Sequence, residues 1–394
     1  MVMLLITRTF GSAVFGRYTI VLTFSQLIVL IFTFGFPSGV IRLLTDQSHY
    51  NEIPKTNFIK KILWITFISS ITISILIYFL SEPIAVNIFK DRSLITYLKV
   101  LSFFITPLMF HEVLLNIFRG KKEYRKYNLF LFILPPLLFL IIFYMIYNYL
   151  YNEISVILSF GLSILIVFLT EIVFLKGIKN SIKLDYPTSL LFKLSLPMMI
   201  SGTVLFLLSW TDIFMLGAMV SSEEVGIYNV AFKISSIGLV IILVFNVVIG
   251  PKISELYNTN EIKKLRETII KTTQLITLTT IPIFLILIIF RKDILSFFGS
   301  DFVSGETTLV ILSFSVLINA ISGNVDQILN MTNHHRLMKN ITVFCLAENI
   351  ILNFILIPGY GINGAATASL ITNISLNIIS IYYIKKKLGF YTIL

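Results

Sequence analysis

The stretch GRYTIVLTFSQLIVLIFTFGFPSGVIR, residues 16–42, has a distant echo in GIYNVAFKISSIGLVIILVFNVVIGPK, residues 226–252. At a constant offset of 210, Gly16 falls on Gly226, Tyr18 on Tyr228 and Arg42 on Lys252. Each copy is a Gly-X-Tyr followed by an apolar run long enough to cross a bilayer core of roughly 30 Å. Each ends in glycine, proline and a basic residue: Gly35-Phe36-Pro37 with Arg42, and Gly250-Pro251-Lys252. The chain therefore reads as two similar membrane halves, and such halves suit alternating access around a site at the repeat interface.

The rest of the sequence extends this pattern. The 394 residues are 56% hydrophobic and 13% charged, and the mean hydropathy is +0.91. Apolar stretches of about 20 residues recur from end to end, which no soluble core requires. The short alternating-polarity strands of a membrane barrel are absent, so helices must satisfy the backbone in lipid. Twelve spans are predicted. The first half has 1–9 (a remnant), 18–41, 62–80, 95–118, 128–150 and 154–176. The second has 190–219, 228–250, 272–290, 306–330, 340–358 and 362–384. The fold class is thus all-α and polytopic, with six-helix bundles over 1–180 and 181–394. By the offset, the counterpart of 190–219 would begin about 20 residues before Met1, so the first span is expected to be truncated. Pro107, Pro135-Pro136, Pro197, Gly202 and Pro282 predict kinks or broken segments.

The net charge of +11 is mostly topology. Of 31 Lys and Arg, 23 fall in the loops after even-numbered spans and at the C-terminus, and 6 after odd-numbered spans. The positive-inside rule sets the even loops and the C-terminus in the cytoplasm of a multi-pass cytoplasmic-membrane protein. Nucleic acid is not implied. The cluster Arg119 to Lys126 reads as a topological anchor touching membrane lipids.

The chemistry of enzymes is missing. Cys345 stands alone within a span, and the four His lack the spacing of a metal or nucleophile motif. No Walker motif, GxSxG or paired outer carboxylates are present, so no cofactor or metal is expected. The longest predicted outer loop, about 291–305, carries only Arg291, Lys292, Asp293 and Asp301.

Intramembrane charges cost about 2.5–3.5 kcal/mol each on insertion scales and should face a partner or a cavity. Asp212 and Lys233 occupy adjacent spans. They either pair as a structural salt bridge, or Lys233 faces a cavity and attracts an anionic substrate. Asp326 is a cation or proton site, or a partner for Asn324. Glu112 and Glu348 read as structural. Arg8 and Arg17 flank the first outer turn and are expected to be exposed. Arg42 either snorkels to the interface or, with Lys252, makes a positive mouth to each half.

Three segments resemble a known family. TRTFGSAVFGRY (7–18) is similar to the opening of the Wzx-like O-antigen and polysaccharide flippases. DIFMLG (212–217) with VGIYNVAFK (225–233) resembles their seventh-to-eighth span signature, and IPGYGINGAATA (357–368) their eleventh-to-twelfth turn. The resemblance covers essentially the whole chain, in order, and departs from the family in the missing start of the first span. It implies a member of the MATE-like MOP superfamily, with two six-helix bundles in a V around a central cavity. It further implies a flippase for a polyprenyl-diphosphate-linked oligosaccharide, on an undecaprenyl or dolichyl carrier. A cationic cavity suits the diphosphate through charge-assisted contacts. Lys233 and Arg42 are the expected head-group contacts, Arg8 and Lys252 weaker ones. Asp212 and Asp326 are the candidates for a coupling cation, sodium or proton. Two alternatives remain: a cation-coupled multidrug exporter of the same superfamily, and a membrane glycan polymerase or glycosyltransferase.

Overall fold

The computed structural model describes residues 1–45, 55–149, 152–175 and 187–392. Among them every regular element is helical: α1 (Val2–Phe32), α2 (Phe36–Thr45), α3 (Lys55–Pro83), α4 (Leu94–Gly120), α5 (Tyr124–Asn128), α6 (Leu134–Tyr147) and α7 (Ile154–Phe174). There follow α8 (Thr188–Met219), α9 (Ser222–Ser235), α10 (Ile237–Asn258), α11 (Ile262–Ile289), α12 (Arg291–Ser296), α13 (Glu306–Ser322), α14 (Val325–Met331) and α15 (His335–Leu388). Among the described residues, ten helices are long and apolar enough to cross a membrane. The last of these, α15, is two spans merged across a break at Gly361. With the short piece of α1 before Gly11, these account for the predicted twelve.

Of the predicted kinks or broken segments, a helix boundary falls at Pro135-Pro136, which open α6, while the helices run on through Pro107, Pro197 and Pro282. The helices break instead at Gly11 (φ 78°) and Gly361 (φ 54°), and Gly35 (φ 72°) turns the chain from α1 into α2. A proline removes one hydrogen bond that neighbouring helices can compensate, whereas a left-handed φ is open to glycine without steric cost. The predicted span 228–250 is likewise divided, α9 ending and α10 beginning at Ser236.

The chain forms two compact units. The first comprises residues 1–10 and 17–206. Its core gathers Phe36, Val40 and Leu43 from the buried face of α2 against Phe58 and Ile62 of α3, Val113 and Ile117 of α4, and Leu191 of α8. Gly35 makes this possible: a Cβ there would lie 2.3 Å from the Ser195 carbonyl oxygen. In lipid such contacts stabilise by close packing rather than by transfer from water.

The second unit comprises residues 11–16 and 207–394. Its core joins Ile253 and Leu256 of α10, Leu265 and Ile269 of α11, Ile328 and Leu329 of α14, and Cys345 and Ile384 of α15. Cys345 is fully buried there, as a small apolar side chain. The sequence repeat becomes a contact in this unit. Gly11 breaks α1, and its counterpart at the 210 offset, Ser221, caps α9 with a Ser221–Glu224 capping box. One turn on, Gly16 lies against Ser222 and Gly226 against Ser12, each helix using a small residue four positions apart.

Candidate functional site

Asp212 lies on α8 among the second unit's helices and is 8% exposed. Four side chains donate to its carboxylate. Tyr228 Oη (α9) and Ser369 Oγ (α15) both reach Oδ2 at 2.5 Å. Asn353 Nδ2 and Asn349 Nδ2, one turn apart on α15, reach Oδ1 at 2.7 and 3.4 Å. A buried carboxylate is thus held by neutral donors, the arrangement that lets a charge persist at membrane depth. Asn353 is fully buried and its Oδ1 has no hydrogen-bond partner. Turning both amides over would bring two more oxygens toward the carboxylate. Carboxylate, amide and hydroxyl oxygens are hard donors, of the class that takes hard cations.

Lys233 does not pair with Asp212. It is exposed on α9, its ammonium 5.8 Å from the centre of the Trp210 ring. At about 100° per residue, Lys233 lies about 140° around α9 from Tyr228, and Tyr228 is the residue that meets Asp212. Among the described residues no acidic side chain forms an ion pair with Lys233. Trp210 belongs to the same helix as Asp212, two residues earlier, so one pair of helices carries both the buried acid and the exposed base.

The first unit holds a cavity of about 560 Å³. Its walls include Leu22, Val29, Phe160 and Met199, and its polar groups include Gln26, His111 and Glu112. His111 Nδ1 meets Glu171 Oε1 at 2.9 Å, with Glu171 fully buried. Glu112 accepts a hydrogen bond from Asn116 at 3.0 Å.

Arg17, expected to be exposed, is instead clamped between Asp91 (3.1 Å) and Glu153 (2.5 Å), its side chain 20% exposed. The two acids lie in the turns before α4 and α7, and Tyr97 of α4 donates to the Glu153 carbonyl. The guanidinium therefore ties α1 to both turns, which a freely exposed arginine would not do. Replacing Arg17 with alanine is expected to lower stability by on the order of 1 kcal/mol at low salt and less at high salt. Thermal unfolding at two ionic strengths measures it; equal losses at both would contradict the ionic account.

Of the other predicted site residues, Arg42 is exposed in the last turn of α2 and Arg8 is exposed on the first piece of α1. Both belong to the first unit. Lys252 is engaged by Glu255 at 3.1 Å. Asp326 is exposed in the first turn of α14, and the expected contact with Asn324 is not made, since both polar atoms of that amide lack a partner. The structure thus brings Asp212 and Lys233 into one neighbourhood and leaves Lys252 and Asp326 apart from it. Sequence reasoning missed Trp210, Tyr228, Ser369, Asn349 and Asn353. The two amides one turn apart in an apolar span were the available signal.

The family described as "Polysaccharide biosynthesis protein" matches residues 1–257, and the family described as "MatE" matches residues 197–355. The probable flippase AglR of Haloferax volcanii is 33% identical over 42% of this chain and 35% of its own length. The probable low-salt glycan biosynthesis flippase Agl15 of the same organism is 28% identical over 45% of this chain and 38% of its own. The chain thus spans under two-fifths of the length of these curated relatives. Among solved structures, an inward-facing multidrug resistance MATE family transporter of the MOP superfamily superposes with a TM-score of 0.81 at 15% identity, over 96% of this chain and 90% of that one. The lipid II flippase MurJ gives 0.78 at 18% identity, over 98% and 84%. The fold is that of the MATE-like MOP transporters.

Proposed function

We propose, from the premise that this chain belongs to the polysaccharide biosynthesis protein family, that it is a flippase for a polyprenyl-diphosphate-linked oligosaccharide. It acts in the cytoplasmic membrane, with its C-terminus on the cytoplasmic side as the loop charges favour. The process is translocation by alternating access, with no bond made or broken. The carrying observation is Lys233, an exposed cation within the apolar run 228–250 that has no acidic partner among the described residues. A lysine costly to place there is accounted for if its partner arrives with the substrate. A diphosphate head cannot cross hydrocarbon unaided, and a charge-assisted contact lowers that cost while the polyprenyl tail stays in lipid. Arg42 is the second head-group contact, and Arg8 a weaker one. Lys252 is weaker still, being shared with Glu255.

Asp212 supplies the coupling-cation site in this reading, its oxygen donors being of the class that takes hard cations such as sodium. Asp326 is the lesser candidate, having no such surroundings on its exposed turn.

Flipping of a lipid-linked oligosaccharide by the full chain in proteoliposomes tests the assignment. Lys233→Ala is expected to slow it at least about tenfold, the loss of one charge-assisted contact worth about 1.5–3 kcal/mol. Lys233→Arg should retain most of it. Undiminished flipping by the alanine variant would sink the head-group role. A cation-coupled exporter is the second reading, favoured by the Glu112 carboxylate in the apolar cavity of the first unit. Saturable transport of tetraphenylphosphonium that is lost in Glu112→Gln would support it.

A further inference from the structure

Lys99 is a second lysine inside an apolar span, and the proposed head-group contacts do not use it. It is exposed on α4, five residues after the helix start at Leu94. Its ammonium lies 5.7 Å from the centre of the Tyr78 ring on α3. Among the described residues it forms no ion pair.

A groove of about 360 Å³ begins beside this pair, inside the first unit. Ile75, Tyr78 and Phe79 of α3 and Phe103 and Thr106 of α4 line it. Both helices end at the same turn, so Lys99 and Tyr78 mark the end of the groove nearest that turn. Ser74 and Thr106 mark the deeper end. From Lys99 to Thr106 is about 10 Å of helix.

We propose that this groove binds one glycerophospholipid of net negative charge, from the leaflet on the side of the α3–α4 turn. Its phosphate meets Lys99 and one of its chains lies along the groove. The site is independent of the flippase reading.

Three features argue for that occupant. The polarity is a lipid's, with the cation toward the turn and the apolar slot running inward. The charge balance is basic as well. Lys90 and Arg92 are exposed in the turn, against an exposed Glu82, while Asp91 is already held by Arg17. Excess cations favour an anionic head group over a zwitterionic one. The third feature is Ser74, whose hydroxyl is buried without a hydrogen-bond partner. The Ser102 hydroxyl, by contrast, donates to the Lys99 carbonyl at 2.6 Å. Ser74 stands one turn deeper than Tyr78, where the ester or ether oxygens of a glycerolipid follow its phosphate. A polyprenyl phosphate carries no oxygen there. A lysine that only snorkelled to the interface would need neither the slot nor the open hydroxyl.

A hydrocarbon chain gains only packing when it leaves lipid for an apolar groove, so the head group carries the selectivity. Quenching by brominated lipids tests this in the full chain, reconstituted in phosphatidylcholine. Phe103→Trp places an emitter on the groove wall, with the chain's own tryptophans replaced (Trp64→Phe, Trp210→Phe). Tyr144→Trp in the same background is the reference, since Tyr144 is exposed on α6 and α6 carries no basic residue. At position 103, brominated phosphatidylglycerol is expected to associate about fivefold more strongly than brominated phosphatidylcholine, the worth of one basic residue near an anionic head group. Parity is expected at position 144. Lys99→Gln should bring the ratio at 103 below about twofold, and Lys99→Arg should keep it.

Parity at position 103 means ordinary boundary lipid and overturns the proposal. So does an equal preference at 144, or a preference at 103 that survives Lys99→Gln intact. Displacement of the brominated lipid by soluble glycerol phosphate would make this a site for free phosphate. Stronger displacement by a polyprenyl phosphate than by unlabelled phosphatidylglycerol would make it a site for the isoprenoid. Either result overturns the glycerophospholipid assignment.

Discussion

Gly16→Ala is expected to abolish the native packing of the second unit, with a fall in thermal midpoint of roughly 10 °C or more in detergent. The added Cβ would lie 1.6 Å from the Ser222 carbonyl oxygen, 2.6 Å from its carbon and 3.0 Å from the Gly226 nitrogen. All three are backbone atoms, so no side chain can rotate aside and the two helices must separate. Overpacking a side-chain site costs about 1–3 kcal/mol, and a backbone obstruction belongs at or above the upper end. Gly226→Ala should behave alike, since its Cβ would meet the Ser12 carbonyl oxygen at 2.2 Å. Gly359→Ala is the control. It also lies within a helix, yet nothing stands within 4 Å of its Cβ, so it should be neutral or slightly stabilising. If Gly16→Ala melted with Gly359→Ala, the close approach of the two helices would be wrong.

The second large effect is expected at Asp212, where Leu and Asn should separate structure from function. Asp212→Leu leaves Tyr228, Ser369, Asn349 and Asn353 without their common acceptor. Each buried unpaired donor costs about 1–3 kcal/mol in water-soluble proteins, and intramembrane hydrogen bonds average nearer 0.6 kcal/mol. Four together still predict a loss of several kcal/mol and poor recovery of folded protein. Asp212→Asn keeps the shape and one acceptor oxygen. It places an amide N–H₂ against a donor and should cost less in stability. Without the negative charge, however, transport should fall at least about tenfold under the cation-coupled reading. Monodispersity and melting of the two variants, set beside their flipping rates, check both parts. Full transport by a well-folded Asp212→Asn protein would remove the coupling role.

Several details of the second unit were legible in the residues alone. The 210-residue echo placed Gly16 on Gly226, and the structure puts those two helix starts side by side. Asp212 and Lys233 stood out because each is a charge inside an apolar run. What lay beyond the sequence was the choice between pairing them and separating them. That choice depends on which face of α9 meets α8, and an unpaired 14-residue pattern does not fix a helix's rotation. The same limit hid Arg17: its acids, Asp91 and Glu153, are 74 and 136 residues away. Prolines were read as kinks or breaks because they remove a donor, and Pro135-Pro136 do stand at a helix start. The actual breaks at Gly11 and Gly361 follow from backbone angles that few other residues can adopt.

By itself, the sequence determined the solvent, the number of spans, the twofold internal repeat and the family, because hydrophobic length and local motifs are properties of contiguous residues. The tertiary structure decided the partners. It gave Asp212 four neutral donors and set Lys233 over Trp210, because helix rotation and side-chain reach bring together residues that no spacing rule connects.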